Sequence, residues 1–100
     1  MKESEKDVER YLIEKIELVG GLCRKFISPG VRGVPDRICI MPGGRTLYVE
    51  LKSEGDTPTS HQEREHQRME LRHHKVHIID TKAKVEDLIV KYVFTNYKEY

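Results

Sequence analysis

The sequence predicts an α/β domain with a mixed central sheet flanked by helices, in the order αβββαβα. Two observations predict this class. Apolar residues recur at helical spacing near both ends of the chain, and short apolar runs bounded by glycine and proline lie between them. A chain of 100 residues, 37% hydrophobic and 35% charged, is typical of a small protein with a modest core. We therefore predict one domain over 1–100, with its core at about 4–90.

A helix over residues 4–19 opens the chain. Ser4 suits the N-cap, and Asp7 takes the acidic position three residues later. The inward stripe of this helix has four apolar residues: Val8, Leu12, Ile16 and Val19. Gly20-Gly21 ends the helix. The next apolar run, Leu22–Ile27, reads as the first strand.

A β-hairpin at about 36–52 is the most informative segment. Strands Asp36–Met41 and Arg45–Leu51 would pair around Gly43, because the turn-forming residues Pro42–Gly44 separate them. Both faces carry apolar residues: Leu47, Val49 and Leu51 on one face, and Ile38 and Ile40 on the other. A hairpin that is apolar on both faces is expected to be covered by helices on both sides.

Three further elements complete the prediction. Thr59 or Ser60 caps a helix that runs to about His74, and Val76–Asp80 is a short buried strand. A closing helix follows over Lys82–Tyr92. Residues 93–100 would form a loose tail or an oligomer contact. Four aromatic residues near this end favour a dimer contact over a tail or the edge of the core: Tyr92, Phe94, Tyr97 and Tyr100.

Composition and cysteine content exclude several classes of protein. The net charge of +1 offers no general attraction to polyanions, so DNA binding would need a local basic patch. The absence of a long apolar run and the polar N-terminus argue against a membrane or secretory role and predict a cytoplasmic protein. Cys23 and Cys39 are expected to be buried reduced thiols. The five histidines, His61, His66, His73, His74 and His77, lack the spacing of a zinc site.

Two carboxylates in the hairpin point to metal chemistry. Asp36 and Glu50 lie equally far from Gly43, so they would face each other across the ladder with Cβ atoms roughly 4.5–5.5 Å apart. Lys52 would share their face. At an effective dielectric near 20 the two charges repel by about 3 kcal/mol, and a divalent cation between them would reverse the sign. This arrangement suggests metal-dependent hydrolysis of phosphodiesters, in which the Leu51 carbonyl could be a further ligand.

An ordered set of motifs resembles a known nuclease superfamily. Gly33-Val34-Pro35-Asp36-Arg37 opens the hairpin, Glu50-Leu51-Lys52 closes it, Glu9 lies upstream, and Gly55-Asp56 and Gln62 follow. The set resembles the PD-(D/E)xK superfamily, and specifically the small stand-alone VRR-NUC domains of phages and bacteria. The resemblance implies a restriction-endonuclease-like αβββαβ core with a C-terminal helix.

The resemblance also implies roles for individual residues. Asp36 and Glu50 would bind Mg²⁺ or Mn²⁺, Glu9 would contribute to the metal site, Lys52 would assist the attacking water, and Gln62 would organise the site. Glu5 and Glu14 compete with Glu9 for the acidic role of the first helix, and the alignment favours Glu9. The chain departs from the family where His73-His74 replace a customary glycine at the end of the second long helix, which leaves the end of that helix open.

Stand-alone members of the family are expected to dimerise and to resolve branched DNA such as Holliday junctions. The chain is thus expected to be a homodimeric, structure-specific DNA endonuclease of a bacterial host or a phage-infected cell. Two alternatives stay open: a flap or single-strand nuclease of the same fold, and a DNA-binding assembly subunit without activity. The intact Asp36, Glu50 and Lys52 argue against the second.

Basic residues supply candidate DNA contacts. Arg64, Arg68 and Arg72 recur at every fourth position of the second long helix, while Arg32 and Arg37 flank the loop that leads into the hairpin. All five could neutralise phosphates on either side of the cleavage point. His61 or His66, near the mouth of the site, could also contact phosphate. For the helical stripe the alternative is a solvated face, balanced by the neighbouring acids Glu63, Glu65 and Glu70.

Overall fold

The computed structural model describes the backbone of residues 2–99 and the side chains of residues 2–92. Its elements are α1 (Glu5–Leu18), β1 (Leu22–Lys25), β2 (Arg37–Ile40), β3 (Thr46–Leu51), α2 (Ser60–Glu70), β4 (Val76–Ile79) and α3 (Lys82–Glu99). A short 3₁₀ turn at Pro42–Gly44 joins β2 to β3. The α/β class and the order αβββαβα that the sequence predicts are both confirmed.

The four strands form one mixed sheet in the order β1-β2-β3-β4. The first three strands pair antiparallel, and β4 runs parallel to β3. Arg37 pairs with Val49 and Ile40 with Thr46, so the β2–β3 hairpin is symmetric about Gly43. Gly43 has a φ of +81°, a conformation that glycine adopts without strain. The predicted register is therefore correct.

One face of the sheet carries the hydrophobic core against α1 and α3. The buried residues of this core from the strands and the turn are Cys23, Cys39, Met41, Leu47, Val49, Leu51 and Ile79, and those from the two helices are Val8, Leu12, Ile16, Val85, Leu88 and Tyr92. Cys23 and Cys39 are neighbours in the β1–β2 ladder and both are free thiols, as predicted, with their Sγ atoms 4.0 Å apart. The inward stripe of α1 is thus the one its spacing indicates.

The opposite face of the sheet is only partly covered, and the prediction of helices over both faces of the hairpin is wrong for one end. Ile40 is 47% exposed, and its neighbour on β1, Leu22, is 46% exposed. The helix on this face, α2, is short and polar, and its one fully buried residue is His66. Because α2 has no apolar stripe, it contacts the sheet through polar groups near the end of β3 instead of covering the whole face.

Several boundaries differ from those predicted. β1 ends at Lys25 because the chain turns out toward solvent, where Ile27 is 75% exposed. α2 ends at Glu70, before the expected His74. His73 then takes a φ of +65°, the left-handed conformation that a glycine at this point would adopt freely.

The last helix is longer than predicted. α3 continues beyond Tyr92 to Glu99, and Tyr92 packs in the core. The remaining aromatics of the predicted tail or dimer contact, Phe94, Tyr97 and Tyr100, lie outside the described side chains. Within residues 2–99, no helix is both long and apolar enough to cross a membrane.

Candidate active site

The hairpin brings Asp36 and Glu50 together at one end of the sheet. Asp36 lies one residue before Arg37, whose partner is Val49, so the ladder continued by one step sets Asp36 opposite Glu50. The Asp36 carbonyl accepts a hydrogen bond from the Phe26 N–H at 2.9 Å, and Asp36 Oδ2 accepts one from the Leu51 N–H at 2.8 Å. Asp36 is therefore fixed by the residue that follows β1 on one side and by β3 on the other.

Glu50 is the most deeply buried charged group of the described residues, with 1% of its surface exposed. Burial, and then the negative charge of Asp36, raises its pKa to about 8. Lys52 partly opposes this shift, with its Nζ 3.8 Å from Glu50 Oε2. At neutral pH the metal-free protein therefore favours a proton on Glu50, which a bound cation would displace.

Gln62 is oriented by the cap of its own helix. The Thr59 N–H donates to Gln62 Oε1 at 2.9 Å, and the Gln62 N–H donates to Thr59 Oγ1 at 3.3 Å, which together form a capping box. With its oxygen held in this way, the Gln62 amide presents Nε2 to Glu50 Oε2 and donates a hydrogen bond of 2.7 Å. The start of α2 thus holds one oxygen of the buried carboxylate.

The three candidate acids of the first helix have different surroundings. Glu9 Oε2 accepts a 3.0 Å hydrogen bond from Arg37 Nε, forming an ion pair. Arg37 lies on the sheet face opposite Asp36, because neighbouring residues of a strand alternate. Glu5 is exposed, but its charge acts on the carboxylate pair: desolvation, and then the charge of Asp36, raises the pKa of Glu5. Glu14 is exposed.

His66 is the residue of this cluster that sequence reasoning missed. It is 6% exposed, and its Nε2 lies 3.6 Å from Glu50 Oε1. Burial lowers its pKa, which favours the neutral imidazole. The sequence did carry a signal, since His66 follows Gln62 by four residues and must share its helix face. Sequence reasoning tested the histidines for zinc spacing and offered His66 only as a phosphate contact, and neither interpretation identifies a histidine beside a carboxylate.

Two known proteins are similar to this chain. "Putative nuclease p44" of Acyrthosiphon pisum secondary endosymbiont phage 1 is 42% identical over 77 residues, which are 77% of this chain and 83% of that protein. A solved structure described as a VRR_NUC domain matches with a TM-score of 0.83 and 36% identity, over 90% of this chain and 99% of that one. The chain belongs to the VRR-NUC nuclease family. No protein-family model matches it.

The oxygen donors of this VRR-NUC domain fit a hard divalent cation. Glu50 Oε1 is buried without a hydrogen-bond partner among the described residues. Mg²⁺ takes only one or two carboxylates and keeps several waters, a pattern that Asp36, Glu50 and the Leu51 carbonyl could satisfy. No group of three His, Cys, Asp or Glu side chains within residues 2–92 is arranged to hold a metal ion. A ligand set built mainly from side chains is therefore absent from this part of the chain.

Between α2 and the loop before the hairpin, the VRR-NUC domain has a basic cavity of about 420 Å³. It is lined by Gly30, Val31, Arg32, His61, Arg64, Glu65 and Arg68. Arg32 Nη1 lies 3.4 Å from His61 Nε2, and Arg64 Nη2 lies 3.2 Å from His61 Nδ1. A neutral imidazole can accept from only one of these guanidinium groups. The other therefore keeps donors for a further acceptor.

The remaining arginines of the predicted DNA stripe, Arg68 and Arg72, have partners on α2. Arg68 Nη1 lies 3.0 Å from Glu65 Oε1, and Arg72 Nη1 donates to the Arg68 carbonyl at 2.9 Å. Arg68 still lines the basic cavity, whereas Arg72 is not among its lining residues. The structure thus brings Arg32, Arg64 and Arg68 together and places Arg37 elsewhere, against Glu9.

Proposed function

We propose that this VRR-NUC domain is a Mg²⁺- or Mn²⁺-dependent deoxyribonuclease that hydrolyses phosphodiester bonds at Asp36 and Glu50. The observation that carries the proposal is the buried Glu50 carboxylate, which lies opposite Asp36 and has one oxygen unpaired among the described residues. A carboxylate buried at this cost, with its pKa raised to about 8, is typical of a functional site.

The side chains of the protein would position the cation and the attacking water and would stabilise charge. A divalent cation, when bound, would supply an activated water and neutralise charge on the phosphate. Asp36 is held ready by the Leu51 N–H, and Glu50 is held by Gln62. Lys52, with its ammonium 3.8 Å from Glu50, is placed to orient the attacking water or to stabilise the negative charge that develops. We assign the first-helix acid to Glu5 or Glu9, with Glu5 favoured because the charge of Asp36 raises its pKa.

We assign DNA binding first to the basic cavity. Arg32, Arg64 and Arg68 present guanidinium groups around one concave surface, and such groups bind phosphate through paired hydrogen bonds. Arg32 and Arg64 contact different ring nitrogens of His61, so the two can approach different oxygens of one phosphate or two successive phosphates. Arg72 and Arg37 would contribute mainly to the surrounding positive potential.

Arg64→Ala is expected to weaken DNA binding about tenfold at low salt and to lower the slope of log K against log salt by about 1, because one phosphate contact is lost. Fluorescence anisotropy with labelled DNA across a salt series measures both quantities. Arg10→Ala is the matched control, since it removes an arginine from the exposed surface of α1, where Arg10 pairs with Asp7 at 3.6 Å. Equal slopes for the two variants would exclude the cavity as a phosphate site.

We further propose that the substrate is branched DNA, with a Holliday junction as the first candidate, and that the active form is a homodimer. A chain of 100 residues has little surface for reading base sequence, so recognition by DNA shape is favoured. A two-fold dimer would suit a four-way junction with paired cleavage points. Such an enzyme would act in the cytoplasm of a bacterial host or a phage-infected cell.

The proposed activity is tested with labelled junctions, flaps, duplexes and single strands, each with Mg²⁺, Mn²⁺ or EDTA. Symmetric paired nicks at the junction are expected, and they should disappear in EDTA and in Asp36→Ala and Lys52→Ala. Cutting of flaps or single strands instead would favour the alternative nuclease of the same fold. Binding without cutting in any metal would favour an assembly subunit. Cleavage that survives both substitutions would reject the assigned site.

A further inference from the structure

The attachment of α2 to the sheet depends on an unusual residue. His66 is the one fully buried residue of this helix, at a position where a polar surface helix normally buries an apolar side chain. Its Nε2 faces Glu50 Oε1 at 3.6 Å, and neither atom has a hydrogen-bond partner among the described residues. Buried polar atoms are nearly always paired, so two unpaired atoms that face each other call for an explanation.

The tautomer of His66 follows from what it faces. When Glu50 is ionised, as it would be with a cation bound, its oxygens offer only lone pairs, so an imidazole nitrogen without a proton would repel Oε1. The favourable form of neutral His66 carries its proton on Nε2 and directs that proton at Oε1. At 3.6 Å the contact is too long to be a hydrogen bond, but a small rotation of the carboxylate or the ring would close it. Contacts of this kind in ligand-free sites often shorten when a ligand binds.

We propose that His66 is a positioning residue that donates from Nε2–H to Glu50 Oε1. Gln62 already holds the other oxygen of Glu50 at 2.7 Å, so the two residues of α2 would fix the carboxylate plane from one side. The orientation of that plane would determine how Glu50 coordinates a cation shared with Asp36. The inference rests on the proposed metal-dependent function, and it assigns to α2 the task of orienting a metal ligand, beyond carrying DNA contacts.

Two substitutions separate positioning from packing. His66→Met fills similar space without a donor, and His66→Gln restores an N–H group of similar reach. His77→Gln is the matched control, since His77 is the other partly buried histidine and its neighbour in the ladder, Val49, faces the opposite side of the sheet from Glu50. The full chain is titrated with Mn²⁺, free Mn²⁺ is counted by electron paramagnetic resonance, and the melting temperature is measured in EDTA.

H66M is expected to weaken Mn²⁺ binding about 10- to 100-fold, the scale typical of lost outer-shell partners, while H66Q and H77Q stay within about threefold of wild type. The melting temperature of H66M in EDTA should fall no more than that of H77Q. Unchanged Mn²⁺ affinity in H66M would overturn the proposal, and so would an equal loss in H66M and H66Q. A nitrogen coupling in pulsed spectra of bound Mn²⁺ would also overturn it, because His66 would then be a direct ligand.

The failure of this inference is distinguishable from failure of the proposed function. If wild type binds Mn²⁺, Asp36→Ala does not, and H66M matches wild type, only the role of His66 is rejected. If wild type and Asp36→Ala show the same Mn²⁺ affinity, the metal site itself is rejected and the inference with it. If H66M does not fold, His66→Asn replaces it, since its amide is one methylene shorter than that of H66Q and cannot span the gap. Equal Mn²⁺ affinity of His66→Asn and H66Q would overturn the proposal.

Discussion

Glu50→Gln is expected to lower cleavage on the order of 10³-fold, the scale seen when one preorganised charged or dipolar group leaves an active site, and to stabilise the metal-free protein at alkaline pH. The amide has nearly the same shape as the carboxylate but carries no charge, so it cannot bind a hard cation comparably. It also needs no proton to remain neutral in its buried position. Activity and metal-free stability should therefore change in opposite directions.

The sign of the stability effect follows from the raised pKa of Glu50. Its pKa is about 8 in the folded protein, against an ordinary value of 4.5, so the folded state binds this proton more tightly than the unfolded state does. The stabilising effect is fully present below pH 4.5 and is lost as the pH rises through 8. Glu50→Gln escapes that loss. In EDTA the variant should match the melting temperature of wild type at about pH 4 and melt several degrees higher at about pH 9. For a domain of this size, a change of about 1 kcal/mol in the free energy of unfolding shifts the melting temperature by about 4–8 °C.

The measurement is a series of thermal melts from about pH 4 to about pH 9, in EDTA and in Mn²⁺. Wild type should gain stability from Mn²⁺ above about pH 7, since binding of the cation favours the ionised Glu50, whereas Glu50→Gln should gain little. Glu63→Gln, an exposed change on α2, is the control and should follow wild type throughout. A difference between Glu50→Gln and wild type that is the same at every pH would contradict the assignment of the raised pKa to Glu50.

The geometry of the carboxylate pair was predictable because strands obey a strict alternation. Once Gly43 is the centre of the turn, the period of two residues fixes which side chains of β2 and β3 share a face, and the observed register agrees. The same rule separates Arg37 from Asp36. What the sequence left open is the rotation of α1, because Glu5, Glu9 and Glu14 all lie near its apolar stripe. The ion pair between Glu9 and Arg37 depends on tertiary packing.

Which side of α2 faces the sheet was hard to predict from the sequence, for a different reason. The orientation of a helix is usually inferred from its apolar stripe, and α2 has no such stripe to indicate which side faces the sheet. Its inward side is marked instead by Gln62 and His66, whose partner is a glutamate distant in the chain. A polar contact of this kind leaves no hydrophobic periodicity, and the four-residue spacing of Gln62 and His66 marks the inward side only once Gln62 is assigned to the site. The exposed Ile40 has the same origin, since a short polar helix leaves that end of the sheet uncovered.

Gly33→Ala is expected to be the most damaging small substitution outside the carboxylate pair. A Cβ at Gly33 would lie 2.3 Å from the His61 carbonyl oxygen and 2.9 Å from the Gln62 nitrogen, and both atoms belong to the backbone. The φ of +87° adds strain of its own. The loop before the hairpin is therefore packed directly on the first turn of α2, and a methyl group there must push the two apart.

The consequence for the site follows from what that first turn holds. Gln62 reaches Glu50 with a 2.7 Å hydrogen bond, so a shift of its backbone by a few tenths of an ångström would misalign the contact. Left-handed strain of about 1–2 kcal/mol and overpacking of about 1–3 kcal/mol together predict a loss of about 3 kcal/mol in the free energy of unfolding. Cleavage should fall as well, because the Glu50 carboxylate loses its hydrogen bond from Gln62 or keeps a poorer one.

Two other glycines separate these causes. Gly55 has a φ of +89° but no neighbouring atom within 4 Å of the position that a Cβ would take, so Gly55→Ala should cost only the strain, about 1 kcal/mol. Gly30 lies in the same loop as Gly33, has neither a positive φ nor a close neighbour, and Gly30→Ala should be neutral or slightly stabilising. Urea unfolding of the three variants measures the series. If Gly33→Ala lowers the free energy of unfolding no more than Gly55→Ala does, the loop does not support α2. The inference that Gly33 positions Gln62 and thereby Glu50 is then rejected.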